Sequence, residues 1–268
     1  MEKIPASVFI LTKNSEDTIG HALDSVRDFD DIVVCDGGSA DGTREIVGRG
    51  EASFFPQPPG CIDADGRITD FSCVRNACLS RIKHDWTLYI DSDEYLSHAA
   101  VEEIRALVAR SDPDAWIWRM PRVGVLHDRI IECSLSYPNA QVRFFHKRHA
   151  AGFIKSVHER IDPLPGEKIG LMRSGLFFIV PPSVTAARAK SRRYLFLEAV
   201  HLSRVPRSVL VRNILHTVRA VVGSIVRLRR RFFCHGHKAP LSYEWLRFEY
   251  NFQLIALLVK IFFRPRVK

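Results

Sequence analysis

Short apolar runs alternate with stretches of helical spacing along the first part of the chain. Ala6-Ser7-Val8-Phe9-Ile10-Leu11 is a continuous run rich in β-formers, closed by Thr12-Lys13-Asn14. A helix is predicted next, with Asn14 or Ser15 as cap, Glu16 and Asp17 in the first turn, and Ile19, Leu23 and Val26 on one stripe. Asp31-Ile32-Val33-Val34-Cys35 reads as a second buried strand ending in Asp36-Gly37-Gly38-Ser39, and Thr43 to about Gly50 as a short helix. Strand, helix, strand, helix at this spacing is a βαβ unit, so the fold class is α/β with a parallel sheet and right-handed crossovers.

The Pro, Gly and Asp content of Gln57–Thr69 marks a loop. Val74, Cys78, Leu79 and Ile82 give Phe71–Ile82 a helical period, and Trp86-Thr87-Leu88-Tyr89-Ile90 is a third apolar strand running straight into Asp91-Ser92-Asp93-Glu94. Ala99–Arg110 follows as an amphipathic helix with Ile104, Leu107 and Val108 inward, then strands at Ala115–Arg119 and Gln141–His146. The texture changes after Pro181-Pro182. There Val209/Leu210, Ile214, Val218, Val221/Val222 and Ile225/Val226 trace an apolar face flanked by arginines. Residues 1–185 therefore read as one α/β domain and 186–268 as a basic amphipathic helical segment.

Charge sharpens that division. Residues 188–268 carry 18 Lys and Arg against Glu198, Glu244 and Glu249, whereas the first 187 carry 21 basic and 27 acidic residues. An acidic front joined to a basic back implies that the back meets a polyanion, either an anionic bilayer or nucleic acid. Phe232-Phe233, Trp245, Phe248, Phe252 and Phe262-Phe263 are interleaved with the cations, a pattern of helices lying in the bilayer interface, and membrane is the favoured partner. Val205–Val226 and Phe252–Phe263, the most apolar stretches, are interrupted by Arg207, Arg212, Arg219 and Lys260, which argues against a spanning helix. Met1–Lys13 lacks the long apolar core of a signal peptide. The six cysteines show neither CxxC nor zinc spacing and are expected to be free thiols in a reducing cytosol.

In open parallel sheets ligands gather at the carboxyl ends of the strands, and two acidic groups fall there: Asp36, and Asp91 with Asp93 and Glu94. Two Asp one residue apart can offer oxygens to a hard divalent cation shared with substrate phosphates. Asp-x-Asp after a strand is also a common solvated turn. Asp41 could be only a helix cap, Arg75 a surface residue, and Glu94 a supporting or solvated residue.

Four segments add to the case for a site: Phe9–Asn14, Asp31–Thr43, Val74-Arg75-Asn76-Ala77 and Trp86–Glu94. In order and spacing they resemble the family 2 glycosyltransferases of the GT-A (Rossmann-like) fold, particularly the branch that builds lipopolysaccharide core and related surface glycans. The likeness covers about the first 95 residues, with thinner matches at Gln141–Phe145 and Val157-His158-Glu159. It implies a mixed, mostly parallel sheet flanked by helices. It also implies inverting transfer of a sugar from a nucleotide diphosphosugar, UDP-linked, to a hydroxyl of a glycolipid or lipid-linked glycan, assisted by Mg²⁺ or Mn²⁺. By the resemblance Asp36 binds the nucleoside, Asp93 the metal, Asp91 the ribose or the metal shell, Arg75 the nucleotide or its phosphates, and Thr12 lines the nucleotide cleft. Inversion needs a general base on the acceptor side. Glu159 is the candidate, with His158 as base or neighbour and Asp128 and Glu132 as outsiders. The expected setting is cytoplasmic, peripheral on the inner face of the cytoplasmic membrane. A polyprenyl-phosphate glycosyltransferase is the near alternative, and a non-catalytic polyanion-binding protein the distant one. A nucleotidyltransferase would carry a Gly-rich basic loop near the N-terminus, which Thr12–Thr18 lacks.

Overall fold

The computed structural model describes every residue except Met1, Asp65, Pro138, Arg204 and 264–268, and every side chain there except that of Arg230. Arg204, Arg264, Arg266, Lys268 and the Arg230 side chain, counted above in the basic tail, lie outside the described residues. The chain divides into two compact units. One comprises Met1–Val123 and Pro138–Ile179, the other Gly124–Tyr137 and Val180–Lys268.

In the first unit, β1 (Ile4–Thr12), α1 (Ile19–Val26), β2 (Phe29–Asp36), α2 (Thr43–Gly48) and β3 (Ser53–Pro56) form the expected βαβ start. Then come α3 (Phe71–Leu79), β4 (Trp86–Asp91), β5 (Glu94–Leu96), α4 (His98–Val108) and β6 (Ile117–Leu126). After β7 (Arg129–Ile130), which lies in the other unit, β8 (Ala140–His146), β9 (Ala150–Ile154), β10 (Arg160–Pro163), β11 (Ile169–Leu171) and β12 (Leu176–Ile179) complete the first unit. The sheet runs β3-β2-β1-β4-β8-β6-β12-β5. It is parallel from β3 to β4 and antiparallel across β4-β8 and β8-β6, which makes it the mixed α/β sheet anticipated from the sequence.

β1 is buried along almost its whole length because the period of two sends its side chains into two cores. Ile4, Ala6, Val8 and Ile10 pack with α1 and α4, while Phe9 and Leu11 join Val33, Cys35 and the inner face of α3. Register decides where the site falls. Thr12 pairs with Asp36 and Leu11 with Asp91, so three strand ends bring their polar residues to one edge of the sheet.

Several expectations are corrected. Helix α1 begins at Ile19, not near Asn14, and its cap position, Thr18, makes no side-chain cap bond. The would-be first turn is used elsewhere. Asn14, at φ 49, accepts from Ala40 N through Oδ1, and Glu16 accepts from Gly42 N at 2.7 Å. Asp41 sits just before the α2 cap and binds the backbone of Thr43 and Glu16, so its place is structural. The cysteines are not all free. Cys61–Cys73 and Cys133–Cys234 are disulfides, with Cα atoms 5.6 and 6.2 Å apart, and only Cys35 and Cys78, both buried, remain thiols.

In the second unit, α5 (Val184–Leu202), α6 (Arg207–Phe233) and α7 (Leu241–Phe263) form the helical C-terminal segment anticipated from the spacing. The 124–137 hairpin is attached to these helices by the Cys133–Cys234 bond and by Leu135 N donating to Glu244 Oε1 at 2.9 Å.

Candidate active site

Helix α3 supplies the centre of the site. Asp70 caps it by accepting from Cys73 N, and Val74, Arg75 and Cys78 face inward. Arg75 is only 2% exposed, and a buried guanidinium requires partners. It donates through Nε to Glu159 Oε1 at 2.7 Å and through Nη2 to Asp91 Oδ1 at 2.8 Å, with its carbon 4.7 Å from the Tyr89 ring centroid. The next residue, Asn76, binds β9 in both directions: Nδ2 donates to Phe153 O and Oδ1 accepts from Phe153 N. A Cβ at Gly152, whose φ is +111, would come within 2.9 Å of Asn76 Oδ1, so that position needs glycine. The Arg75-Asn76 pair thus ties α3 to the β9–β10 segment and holds Glu159 near the end of β4.

Behind Asp91 lies a second layer of charge. Arg143 Nη2 reaches Asp91 Oδ2 at 3.3 Å and Glu94 Oε1 at 2.7 Å, Arg122 also donates to Glu94 Oε1, and Glu94 Oε2 accepts from Asp91 N at 3.1 Å. Three guanidinium groups and three carboxylates are therefore linked in one network, which is how so much charge can be held with so little water. Glu94 is fully buried, which removes the solvated reading of that residue. Burial pushes its pKa up, as does the Asp91 charge, and Arg143 and Arg122 offset this only partly. For Asp91 burial also pushes upward, but Arg75 and Arg143 override it and hold the carboxyl well below the usual range. Arg75 stays protonated because the charges of Asp91 and Glu159 outweigh its burial.

At the β1–β2 end, Asp36 is almost wholly buried and its carboxylate is committed to its own loop. Oδ2 accepts from Gly38 N and Ser39 N, both at 3.0 Å, and Oδ1 accepts from Ser39 Oγ. Gly38 has φ +81, the left-handed conformation this tight turn demands. The atoms with spare capacity at this end are others: Thr12 Oγ1 and Gln57 Oε1 are buried without a hydrogen-bond partner. The two residues are neighbours, since Gln57 Nε2 lies 3.5 Å from Thr12 O. Buried polar atoms of this kind call for a partner that the protein does not supply.

Thr12, Asp36, Arg75, Asp91, Asp93 and Glu159 thus belong to one unit, and Arg75 brings Asp91 and Glu159 together directly. His158 is exposed with a left-handed backbone, φ 53, next to Glu159. Asp128 and Glu132 belong to the other unit, and Glu132 accepts from His237 N at 2.7 Å. Sequence reasoning missed Arg122, Arg143 and Gln57. Arg143 carried a signal, a single charge inside the apolar run Val142–Phe145. Gln57 carried none beyond its place at the start of a loop.

Oxygen donors alone suit a hard dication. No group of three or more His, Cys, Asp or Glu that could hold a metal occurs among the described residues. Both Asp91 oxygens accept from arginine, and Asp93 lies half-buried on the turn after β4. This set fits a cation bound chiefly by a ligand's own phosphates with one or two protein carboxylates, and does not fit an all-protein cage.

A mixed α/β sheet with acidic residues gathered over arginines at its parallel strand ends is a GT-A-type fold. Residues 7–158 match the family model described as glycosyl transferase family 2, and the chain belongs to that family. It is 29% identical over 153 residues to an uncharacterized glycosyltransferase of Rickettsia felis, covering 56% of this chain and 50% of that one. It is 30% identical over 127 residues to the lipopolysaccharide core biosynthesis glycosyltransferase LpsC of Rhizobium meliloti, covering 45% of this chain and 43% of LpsC. The chain spans about half the length of these curated relatives. Among solved structures, S. aureus TarS 1-349 in complex with UDP-GlcNAc superposes with a TM-score of 0.48 at 14% identity, over 74% of this chain and 66% of that one.

Proposed function

We propose that the chain transfers a sugar from a nucleotide diphosphosugar, UDP-linked, to a hydroxyl of a glycolipid or lipid-linked glycan, with inversion at the anomeric carbon. The observation that carries this reading is the pair of hydrogen bonds donated by Arg75, which joins the carboxylate at the end of β4 to the carboxylate before β10. In the first role Asp91 and Asp93 face the donor, and in the second Glu159 faces the acceptor.

Thr12 and Gln57 bind the nucleoside with the two buried atoms that lack partners, while Asp36 shapes the loop that seats it. The acceptor oxygen attacks the anomeric carbon, the bond from that carbon to the diphosphate breaks, and Glu159 takes the hydroxyl proton. Arg75 engages Glu159 Oε1, which leaves Oε2 for the proton. Mg²⁺ or Mn²⁺ at Asp93, with Asp91 in support, would neutralise charge on the diphosphate leaving group.

The basic helical unit holds this chemistry at an anionic membrane surface, where a lipid-linked acceptor resides. We assign the inner face of the cytoplasmic membrane, where nucleotide sugars are available.

The test is transfer of radiolabelled sugar from UDP-sugars into lipid extract by wild type and Asp93→Asn. Labelled lipid formed by wild type and not by the variant is the expected result. Labelling by neither, with intact nucleotide binding, would overturn the lipid acceptor. Equal labelling by both would overturn the role of Asp93.

A further inference from the structure

Helices α6 and α7 share a small apolar core with α5, around Leu202, Leu210 and Leu258, but they also bury polar side chains and expose apolar ones. On α6, Thr217 and Ser224 are inside at 5% and 0% exposure, whereas Val211, Leu215, Val218, Val222 and Ile225 are 42–55% exposed. Their spacing of three and four residues makes one continuous outward stripe. On α7, Glu244 is buried while Leu241, Trp245, Phe252, Val259 and Phe263 are exposed, again at helical spacing.

Ser224, Arg227 and Glu244 are hydrogen-bonded inside, while the buried Arg231 Nη1 and Tyr250 hydroxyl make no hydrogen bond. Ser224 Oγ donates to Ala220 O at 2.8 Å and accepts from Arg247 Nε at 3.1 Å and Arg227 Nη2 at 3.3 Å. Arg227 Nε donates to Leu135 O at 2.7 Å, and Arg231 Nη1 lies 3.6 Å from Glu244 Oε1. Continuous aliphatic and aromatic stripes left outside on two neighbouring helices, with polar groups such as Ser224 and Glu244 turned inside, suit an apolar surrounding.

What surrounds it follows from the charges beside the stripes. Arg212 and Arg219 each come one residue after a stripe position on α6, and Lys260 one residue after Val259 on α7, and all three are exposed. In a contact between two copies of this unit those like charges would face one another. Beside a layer of anionic headgroups they find partners while their aliphatic stems stay in apolar surroundings. Among the described residues α6 is the one helix long and apolar enough to cross a membrane. Arg212 in its second turn and Arg219 near its middle favour lying along the interface over crossing it.

We propose that α6 and α7 are embedded in the interface of an anionic phospholipid bilayer. Their outward stripes enter the acyl region, and Arg212, Arg219 and Lys260 sit at phosphate level. This rests on the reading that the second unit works at a membrane surface. It adds that attachment comes chiefly from buried apolar area, so that salt alone does not undo it.

The full chain is floated with phosphatidylglycerol-containing vesicles and with pure phosphatidylcholine vesicles, then washed with about 1 M NaCl. Wild type and a V222E/F252E double variant are compared, with thermal unfolding as the folding control. The expected result is that wild type prefers the anionic vesicles and stays bound through the salt wash. The variant, with an unchanged unfolding midpoint, loses binding by about tenfold or more. Complete release of wild type by salt would overturn embedding and leave electrostatic docking standing. Absence of binding to either vesicle would overturn both, as would a stable dimer that binds no lipid.

Discussion

Arg75 donates to Glu159 across 84 positions of sequence, at 2.7 Å and with only 2% of the arginine exposed. The same guanidinium also donates to Asp91, so the two sides of the proposed reaction share one buried cation. Family membership is shown by the match over residues 7–158. The roles of individual residues are the part open to experiment.

Replacing Arg75 by Lys keeps a charge but loses the planar fork that serves two carboxylates at once. Breaking a buried pair from one side costs about 3–5 kcal/mol. R75K is therefore expected to unfold at markedly lower denaturant and to lose about 100-fold or more in kcat/KM. Urea unfolding and initial rates check both, and near-wild-type values would show that the bridge does not organise the site.

Glu159→Gln preserves an oxygen that can accept from Arg75 and removes the ability to take a proton. Transfer to a hydroxyl acceptor should fall by about 10² to 10⁴-fold, with nucleotide affinity unchanged. If E159Q retains full activity the acceptor is a phosphate, as in polyprenyl-phosphate glycosylation, because a phosphate oxygen attacks without a base.

Thr12→Val and Gln57→Ala remove the two buried polar atoms that lack partners. If these atoms serve the nucleoside, each change weakens nucleoside diphosphate binding by about 1–3 kcal/mol, and Thr12→Val does so without lowering the stability of the free protein, while Gln57→Ala also gives up its long contact to Thr12 O. Calorimetric titration measures the first effect and thermal unfolding the second. Reduced stability with unchanged affinity would make them packing residues only.

Asp91 and Glu94 should give opposite pH signatures. The folded state holds Asp91 below its ordinary pKa. Its stabilising contribution is present above the unfolded value of about 3.9 and is lost as pH falls toward the depressed folded value. Glu94 is shifted upward, so its contribution is greatest below the unfolded value of about 4.3 and is lost as pH rises through the raised folded value. Unfolding midpoints across the acid range should therefore fall less steeply on acidification in D91N than in wild type. In E94Q they should fall more steeply. Identical profiles in all three proteins would contradict the network.

Much of the fold was legible because β1, β2 and β4 are buried on both faces and read as apolar runs, and register then placed Thr12, Asp36 and Asp91 at one edge. The start of α1 was not legible. Asn14 and Glu16 look like helix-capping residues but bind the backbone of Ala40 and Gly42, a long-range use that local propensity does not reveal. The cysteine pairs escaped for the same reason, since Cys133 and Cys234 are 101 residues apart. In the candidate site, Asp91 and Glu159 were singled out by motif, but their link through Arg75 and the support from Arg143 and Arg122 depend on tertiary packing. For α6 the apolar period was read correctly. The sequence alone did not say which face looks outward, and that is what the buried Thr217 and Ser224 reveal.

The most direct test of the central claim is a thermal-shift series with nucleoside diphosphates and their sugar conjugates, with and without Mn²⁺, on wild type and Asp93→Asn. Ligand binding to the native state raises the midpoint by mass action, worth about 2.7 kcal/mol at a hundredfold excess over Kd. A rise with uridine ligands, larger with Mn²⁺ in wild type and losing its Mn²⁺ dependence in D93N, is the predicted result. No shift with any nucleotide, in a protein that unfolds cooperatively, would contradict a sugar-nucleotide transferase.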